Sequence, residues 1–272
     1  LDLDERAEFD TMCGIQKSAE TSTEMTLGRK LVAEGLGSAM LLMAVVGSGI
    51  MGERLAGGNV ALALLANTLA TGAALAVLIL LFGPISGAHL NPAVTLADAS
   101  QGGLPWAEVP AYVAVQVVGA FIGVGLANAM FSEPLFFASR HVRAGAPQLL
   151  GEFIATFGLL SVIWGCARIQ PQAVPFAVAG YITAAYWFTC STSFANPAVT
   201  LARSATDTFA GIRPIDVPGF VAVQLAGAAA ATTLFRWLVP VPQKRNIPAH
   251  AADENKAAGV PVVAPSVELD SN

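Results

Sequence analysis

Read as apolar runs and polar breaks, the chain divides into six long hydrophobic stretches, roughly 29–50, 59–82, 109–131, 149–168, 172–190 and 217–238. Each meets the requirement of about 20 apolar residues for a helix that crosses a bilayer. Ten-residue segments of alternating hydrophobicity, the mark of a membrane β-barrel, are absent, so the pattern predicts an all-α membrane protein. Two further apolar segments, around Asn91 and Asn196, run for only about eight to twelve residues, too short to span, and are predicted to be re-entrant half-helices.

Composition agrees with this reading. Hydrophobic residues make up 54% of the 272 and charged residues only 12%, about half the charged fraction of a soluble domain. The net charge of −5 sits mostly in the ends and excludes a nucleic-acid footprint. Residues 1–28 and 239–272 are polar or rich in Ala, Pro and charge, and read as flexible tails that bury too little apolar surface to offset the entropy of ordering. The first apolar run is too long for a signal peptide and no small-residue cleavage pattern follows it. Cys13, Cys166 and Cys190 show neither a disulfide framework nor metal-ligand spacing, so no metal and no cofactor is expected.

Self-similarity organises the rest. "VPAYVAVQVVGA" at 109–120 returns as "VPGFVAVQLAGA" at 217–228, Glu34 in "AEGLGSAMLL" has its counterpart in Glu152 of "GEFIATFGLL", and "NPAVTL" occurs at 91–96 and again at 196–201. The chain is one unit duplicated, with a first repeat over 29–131, a linking loop over 132–148 and a second repeat over 149–238. Each unit holds three crossings, an odd number, so the second enters the membrane from the opposite side and the repeat is inverted.

Asparagine before proline supplies an N-cap followed by a residue whose missing N–H is harmless at the first helical position. Each half-helix is therefore predicted to start at its asparagine, and the two N-termini, each carrying about half a positive charge, to face each other near the midplane. A cation or proton is repelled there. The amides of Asn91 and Asn196 remain able to donate hydrogen bonds to a neutral oxygen-bearing solute, and irregular backbone at that depth is tolerated only beside protein or water.

Through "SGAHLNPAVT" at 86–95 and "SFANPAVT" at 193–200 the chain resembles the aquaporin, or major intrinsic protein, family over nearly all of 29–238. The resemblance implies six transmembrane helices plus two re-entrant half-helices in a right-handed bundle, a pore in each subunit, a homotetramer, and a multi-pass protein of a bacterial-type inner membrane with both termini cytoplasmic. It also implies the site residues: Asn91, Pro92, Ala93, Asn196, Pro197 and Ala198 as the paired pore motifs and His89 on the pore wall. The four-residue outer constriction falls, by distance from the asparagines, on Thr71, Ala184, Ser193 and Val199.

Val199 departs from the family pattern, which places an arginine there. A constriction of Thr, Ala, Ser and Val is wider and uncharged, which favours glycerol, urea and metalloid hydroxides such as arsenite alongside water. The short stretch between Asn196 and the last helix resembles water channels instead, and a water-selective pore is the alternative. A non-arginine second motif also resembles bacterial members associated with arsenic resistance.

Several side chains admit two readings. Glu34 and Glu152 are costly within apolar helices and either couple protons or accept hydrogen bonds that fix the adjacent loops. One support per half-helix follows from the duplication, and Gln116 and Gln224 take the same supporting role. His89 is a pH gate or a neutral member of the wall. Arg203, seven residues beyond Asn196 and on a similar face, restores positive charge at the outer mouth or caps its own helix. Asp98 occupies the matching place in the first repeat. A coupled secondary transporter, which also uses inverted repeats, requires more titratable groups on the path than these, and no nucleophile and base pair supports an enzyme. The partners expected are membrane lipid, water and small neutral solutes, with no nucleic acid.

Overall fold

In the computed structural model residues 25–239 are described, and the greater part of the two expected tails, with Cys13, lies outside the described residues. Eight α-helices follow one another there: α1 (Leu27–Leu55), α2 (Val60–Ser86), α3 (Pro92–Ser100), α4 (Val109–Met130), α5 (Ala146–Ile169), α6 (Val174–Phe188), α7 (Pro197–Arg203) and α8 (Val217–Leu238). Single 3-10 turns, Pro171–Ala173 and Pro214–Asp216, precede α6 and α8. There is no β-strand among the described residues.

Helices α1, α2, α4, α5 and α8 are long and apolar enough to cross a membrane. The stretch expected to cross at 172–190 is shorter than the others as helix, because α6 has 15 residues and rises only about 22 Å. Its chain leaves the helical path at Thr189, which is extended, and the remaining length is irregular backbone leading to Asn196.

The two halves pack alike. Helix α1 lies against α2 and α4, and α5 lies against α6 and α8. Between the halves α2 meets α6, and the short helices cross over, α3 reaching α8 and α7 reaching α4. Helices α1 and α4 touch backbone to backbone, since a Cβ on Gly119 would collide with the Gly35 carbonyl and one on Gly123 with the Ala39 carbonyl. Small residues permit such close approach where lipid gives no hydrophobic drive to helix association. Gly123→Val is expected to destabilise the fold by about 1–3 kcal/mol through overpacking, read as a lowered unfolding midpoint of the detergent-purified protein. An unchanged midpoint would mean that α1 and α4 part without loss.

Burial runs opposite to that of a soluble protein. Leu69, Val77, Val118 and Phe176 are each more than half exposed, while Glu34, Ser38, Gln116, Glu152 and Gln224 are fully buried. Apolar surface this extensive suits lipid or other subunits, and the polar groups gather around α3 and α7.

Candidate functional site

Helices α3 and α7 begin at equivalent prolines, and the asparagine before each is the N-cap. Asn91 Oδ1 accepts from Ala93 N at 2.9 Å, and Asn196 Oδ1 from Ala198 N at 3.0 Å and Val199 N at 3.3 Å. Their amide nitrogens reach across to the opposite loop, Asn91 Nδ2 donating to the Ala195 carbonyl and Asn196 Nδ2 to the Leu90 carbonyl, both at 2.8 Å. Each side-chain amide has two donor hydrogens, so the tie uses one and leaves one. The Leu90 and Ala195 carbonyls are thus each engaged by the opposite asparagine.

Both loops entering the asparagines are bent in the same way. Ala88 and Leu90 have φ of 47°, and their counterparts Ser193 and Ala195 have φ of 51° and 48°. The left-handed region costs a non-glycine residue about 1–2 kcal/mol, and such strain persists only where surroundings over-determine it. Here the surroundings are two buried carboxylates. Glu34 accepts from His89 N (2.9 Å), Leu90 N (2.7 Å), Ser86 Oγ (2.6 Å) and Gln116 Nε2 (2.8 Å). Glu152 accepts from Phe194 N and Ala195 N, both at 2.9 Å, and Gln224 Nε2 at 2.6 Å. The glutamines extend each network into the short helices, Gln116 Nε2 donating to Thr95 Oγ1 at 2.9 Å and Gln224 Nε2 to Thr200 Oγ1 at 2.8 Å.

A cavity of about 530 Å³ runs beside these loops. Its wall includes both asparagines, the loop residues 86–90 and 193–195, Thr71, Val199 and Arg203, and also Lys30, Asp98 and Tyr112. His89 lies on it, Nδ1 at 3.2 Å from Thr95 Oγ1 and Nε2 at 3.6 Å from the Asp98 carboxylate, which gives Asp98 a partner that the sequence did not suggest. Pro92, Ala93, Pro197 and Ala198 form the first turns of the short helices rather than the wall. Glu34, Glu152, Gln116 and Gln224 stand behind the loops and off the cavity.

One expected wall residue is elsewhere. Ala184 is exposed and off the cavity, whereas Ile182 and Tyr186 line it. Two positions to either side of Ala184 on a helix are about 200° away, so a wall formed by 182 and 186 turns 184 outward. Counting back from Asn196 fails because residues 189–195 are not helical. Tyr186 is buried, faces the cavity there, and has its hydroxyl 3.3 Å from Thr71 Oγ1. Its legible signal was a hydroxyl-bearing aromatic four residues after Ile182 in an apolar helix.

Arg203 does not cap its own helix. It is 2% exposed, its Nε donates to the Ala210 carbonyl in the segment that follows, and its guanidinium lies 3.3 Å from the centre of the Phe194 ring. Arg143, which sequence reasoning passed over, also stacks on Phe194 at 4.9 Å and donates to Gly211 O at 2.8 Å and Ser191 O at 3.1 Å. Burial in the linking loop lowers the Arg143 pKa from its ordinary value. The loop is laid along the chain after α7, with Phe137 N donating to Ala205 O at 2.9 Å and Arg213 N to His141 O at 2.8 Å.

Comparison with known proteins agrees with this fold. Residues 21–173 match the pattern of the family described as Major intrinsic protein. The chain is 55% identical over 216 residues to Aquaglyceroporin AqpS of Rhizobium meliloti, covering 79% of this chain and 92% of that protein. It is 36% identical to Aquaporin NIP1-3 of Oryza sativa over 60% of this chain and 57% of the relative. Among solved structures, the aquaglyceroporin from Plasmodium falciparum superposes with a TM-score of 0.57 at 20% identity, covering 77% of this chain and 94% of that one.

Proposed function

The chain belongs to the major intrinsic protein family and is a non-enzymatic, passive membrane channel for water and small neutral solutes, and we propose that the solutes it passes extend to glycerol, urea and uncharged metalloid hydroxides such as arsenite. The observation that carries this is Val199, buried on the cavity wall where the family pattern has an arginine. The same cavity is lined by the hydroxyl-bearing residues Thr71, Ser193 and Tyr186. The wall is thus amphipathic: valine and the tyrosine ring offer apolar contact to a carbon backbone, and three hydroxyls offer hydrogen bonds to its oxygens. A polyol presents both faces.

In this reading α1, α2, α4, α5, α6 and α8 cross the membrane and α3 and α7 enter from opposite faces, as two inverted repeats over 29–131 and 149–238. The asparagines Asn91 and Asn196 donate their remaining hydrogens to solute, His89 belongs to the wall, and Glu34, Glu152, Gln116 and Gln224 fix the loops. The name of the Rhizobium relative, an aquaglyceroporin, supports the solute class and a bacterial inner membrane. The cytoplasmic termini and the homotetramer follow the family resemblance, and the exposed apolar faces of α2 and α4 suit such an assembly.

Stopped-flow light scattering on proteoliposomes tests the proposal. Shrinkage under an impermeant osmolyte reads water, and re-swelling under glycerol reads the solute. Re-swelling about tenfold or more faster than in protein-free vesicles is expected, a barrier reduction of about 1.4 kcal/mol or more. Fast water flux with glycerol entry at the protein-free rate would establish a water-selective pore.

A further inference from the structure

We infer that Arg203 is the specificity-determining cation of this channel, a filter charge displaced by one helical turn, so that the constriction is widened at Val199 without losing its positive field. The inference rests on the proposed constriction around Val199. Residues 199 and 203 are four apart on α7, hence neighbours on one helical face, and a helical side chain leans back over the turn N-terminal to its own Cα. Arg203 therefore reaches toward the wall that begins at Val199. Its guanidinium lies over Phe194, two residues before Asn196, and Arg203, Phe194, Ser193 and Val199 share the cavity wall.

Three observations point to a group set for solute rather than for packing. Only the Nε of Arg203 has a hydrogen-bond partner among the described residues. The guanidinium carries four further N–H donors. Ser193 Oγ, on the same wall and 2% exposed, is likewise without a partner. Among the described residues no carboxylate forms a salt bridge with Arg203, and its nearest charged neighbour on Phe194 is another arginine, Arg143. A buried charge left unpaired retains its full field in a medium of low dielectric, which repels cations, hydronium included, and favours oxygen acceptors of neutral solutes. The first repeat differs at the equivalent position, where Asp98 is paired with His89.

Separating charge from shape is the test. The full chain, Arg203→Gln and Arg203→Lys are each purified, checked for a single elution peak and reconstituted; proton entry is read with an entrapped pH dye under a potassium diffusion potential, and water flux on the same vesicles. Both substitutions keep a donor for the Ala210 carbonyl, and only lysine keeps the charge. Arg203→Gln is expected to raise the ratio of proton to water permeability by about tenfold or more, and Arg203→Lys, which loses the flat stacking group but keeps the charge, to hold it within about threefold of the parent. A ratio unchanged in Arg203→Gln, or raised equally in both, would overturn the inference. Should Arg203→Gln fail to elute as a single peak, the exchange Val199→Arg with Arg203→Val takes its place, since it returns the charge to the family position. Exclusion restored to the parental ratio supports displacement, and a proton leak from that variant overturns it. The ratio is referred to water, so a parent channel that passes water but no glycerol would sink the solute proposal and leave the Arg203 result readable.

Discussion

Replacing Glu152 with leucine is expected to unfold the second loop and to cost the protein about 3–5 kcal/mol, the sum of several buried donors left without acceptors. The carboxylate receives Phe194 N, Ala195 N and Gln224 Nε2, and leucine satisfies none of them. The flanking left-handed residues Ser193 and Ala195 lose the constraint that holds them, so the loop relaxes toward ordinary dihedrals and the Asn196 N-cap goes with it. Thermal unfolding in detergent and limited proteolysis across 189–196 read the two effects, and water permeability falls toward that of protein-free vesicles. Glu34→Leu follows the same course through its four donors. Retention of the parental midpoint in Glu152→Leu would show that the loop is held by packing alone.

Val199→Arg is the second large effect, directed at selectivity instead of stability. Val199 is buried on the cavity wall, so a side chain longer by several heavy atoms has to extend into the path or displace Phe194. The new guanidinium also stands one turn from Arg203, and like charges at that spacing repel. Glycerol re-swelling is expected to drop by about tenfold or more while water flux falls less, since an added barrier of about 1.4 kcal/mol is a factor of ten. Glycerol flux equal to the parent's would take Val199 out of the narrow part of the path.

What could be read from the sequence was whatever the duplication repeats. Glu34 with Glu152, Gln116 with Gln224 and Asn91 with Asn196 stand out because each occurs twice in one order, and helix boundaries follow apolar runs closely, 217–238 as α8 being an instance. Positions that depend on irregular backbone could not be read in this way. Ala184 was placed by counting through 189–195, and the residue on the wall is Tyr186, because a count assumes a fixed rise and rotation per residue that the extended Thr189 and the left-handed Thr192, Ser193 and Ala195 do not have. Arg203 could be placed on a face but not given a partner, since the segment that carries Ala210 folds back in a way no periodicity encodes. Arg143 lies in the linking loop without any repeat to mark it, and its tie to the Ser191 and Gly211 carbonyls is long-range.

The crossed amides of Asn91 and Asn196 make each half of the chain depend on the other. Each motif supplies the donor that the other's backbone needs, at Ala195 and at Leu90, so one copy by itself has a hydrogen to give and a carbonyl to fill with nothing opposite. A half-length molecule could close these ties only against a second copy of the motif. Carrying both halves in one chain keeps the two motifs opposite each other. Seven residues past each asparagine the two copies differ, with an acid, Asp98, in one and a base, Arg203, in the other. At the asparagines themselves, a change in either copy alone takes away the donor to the carbonyl that precedes the other.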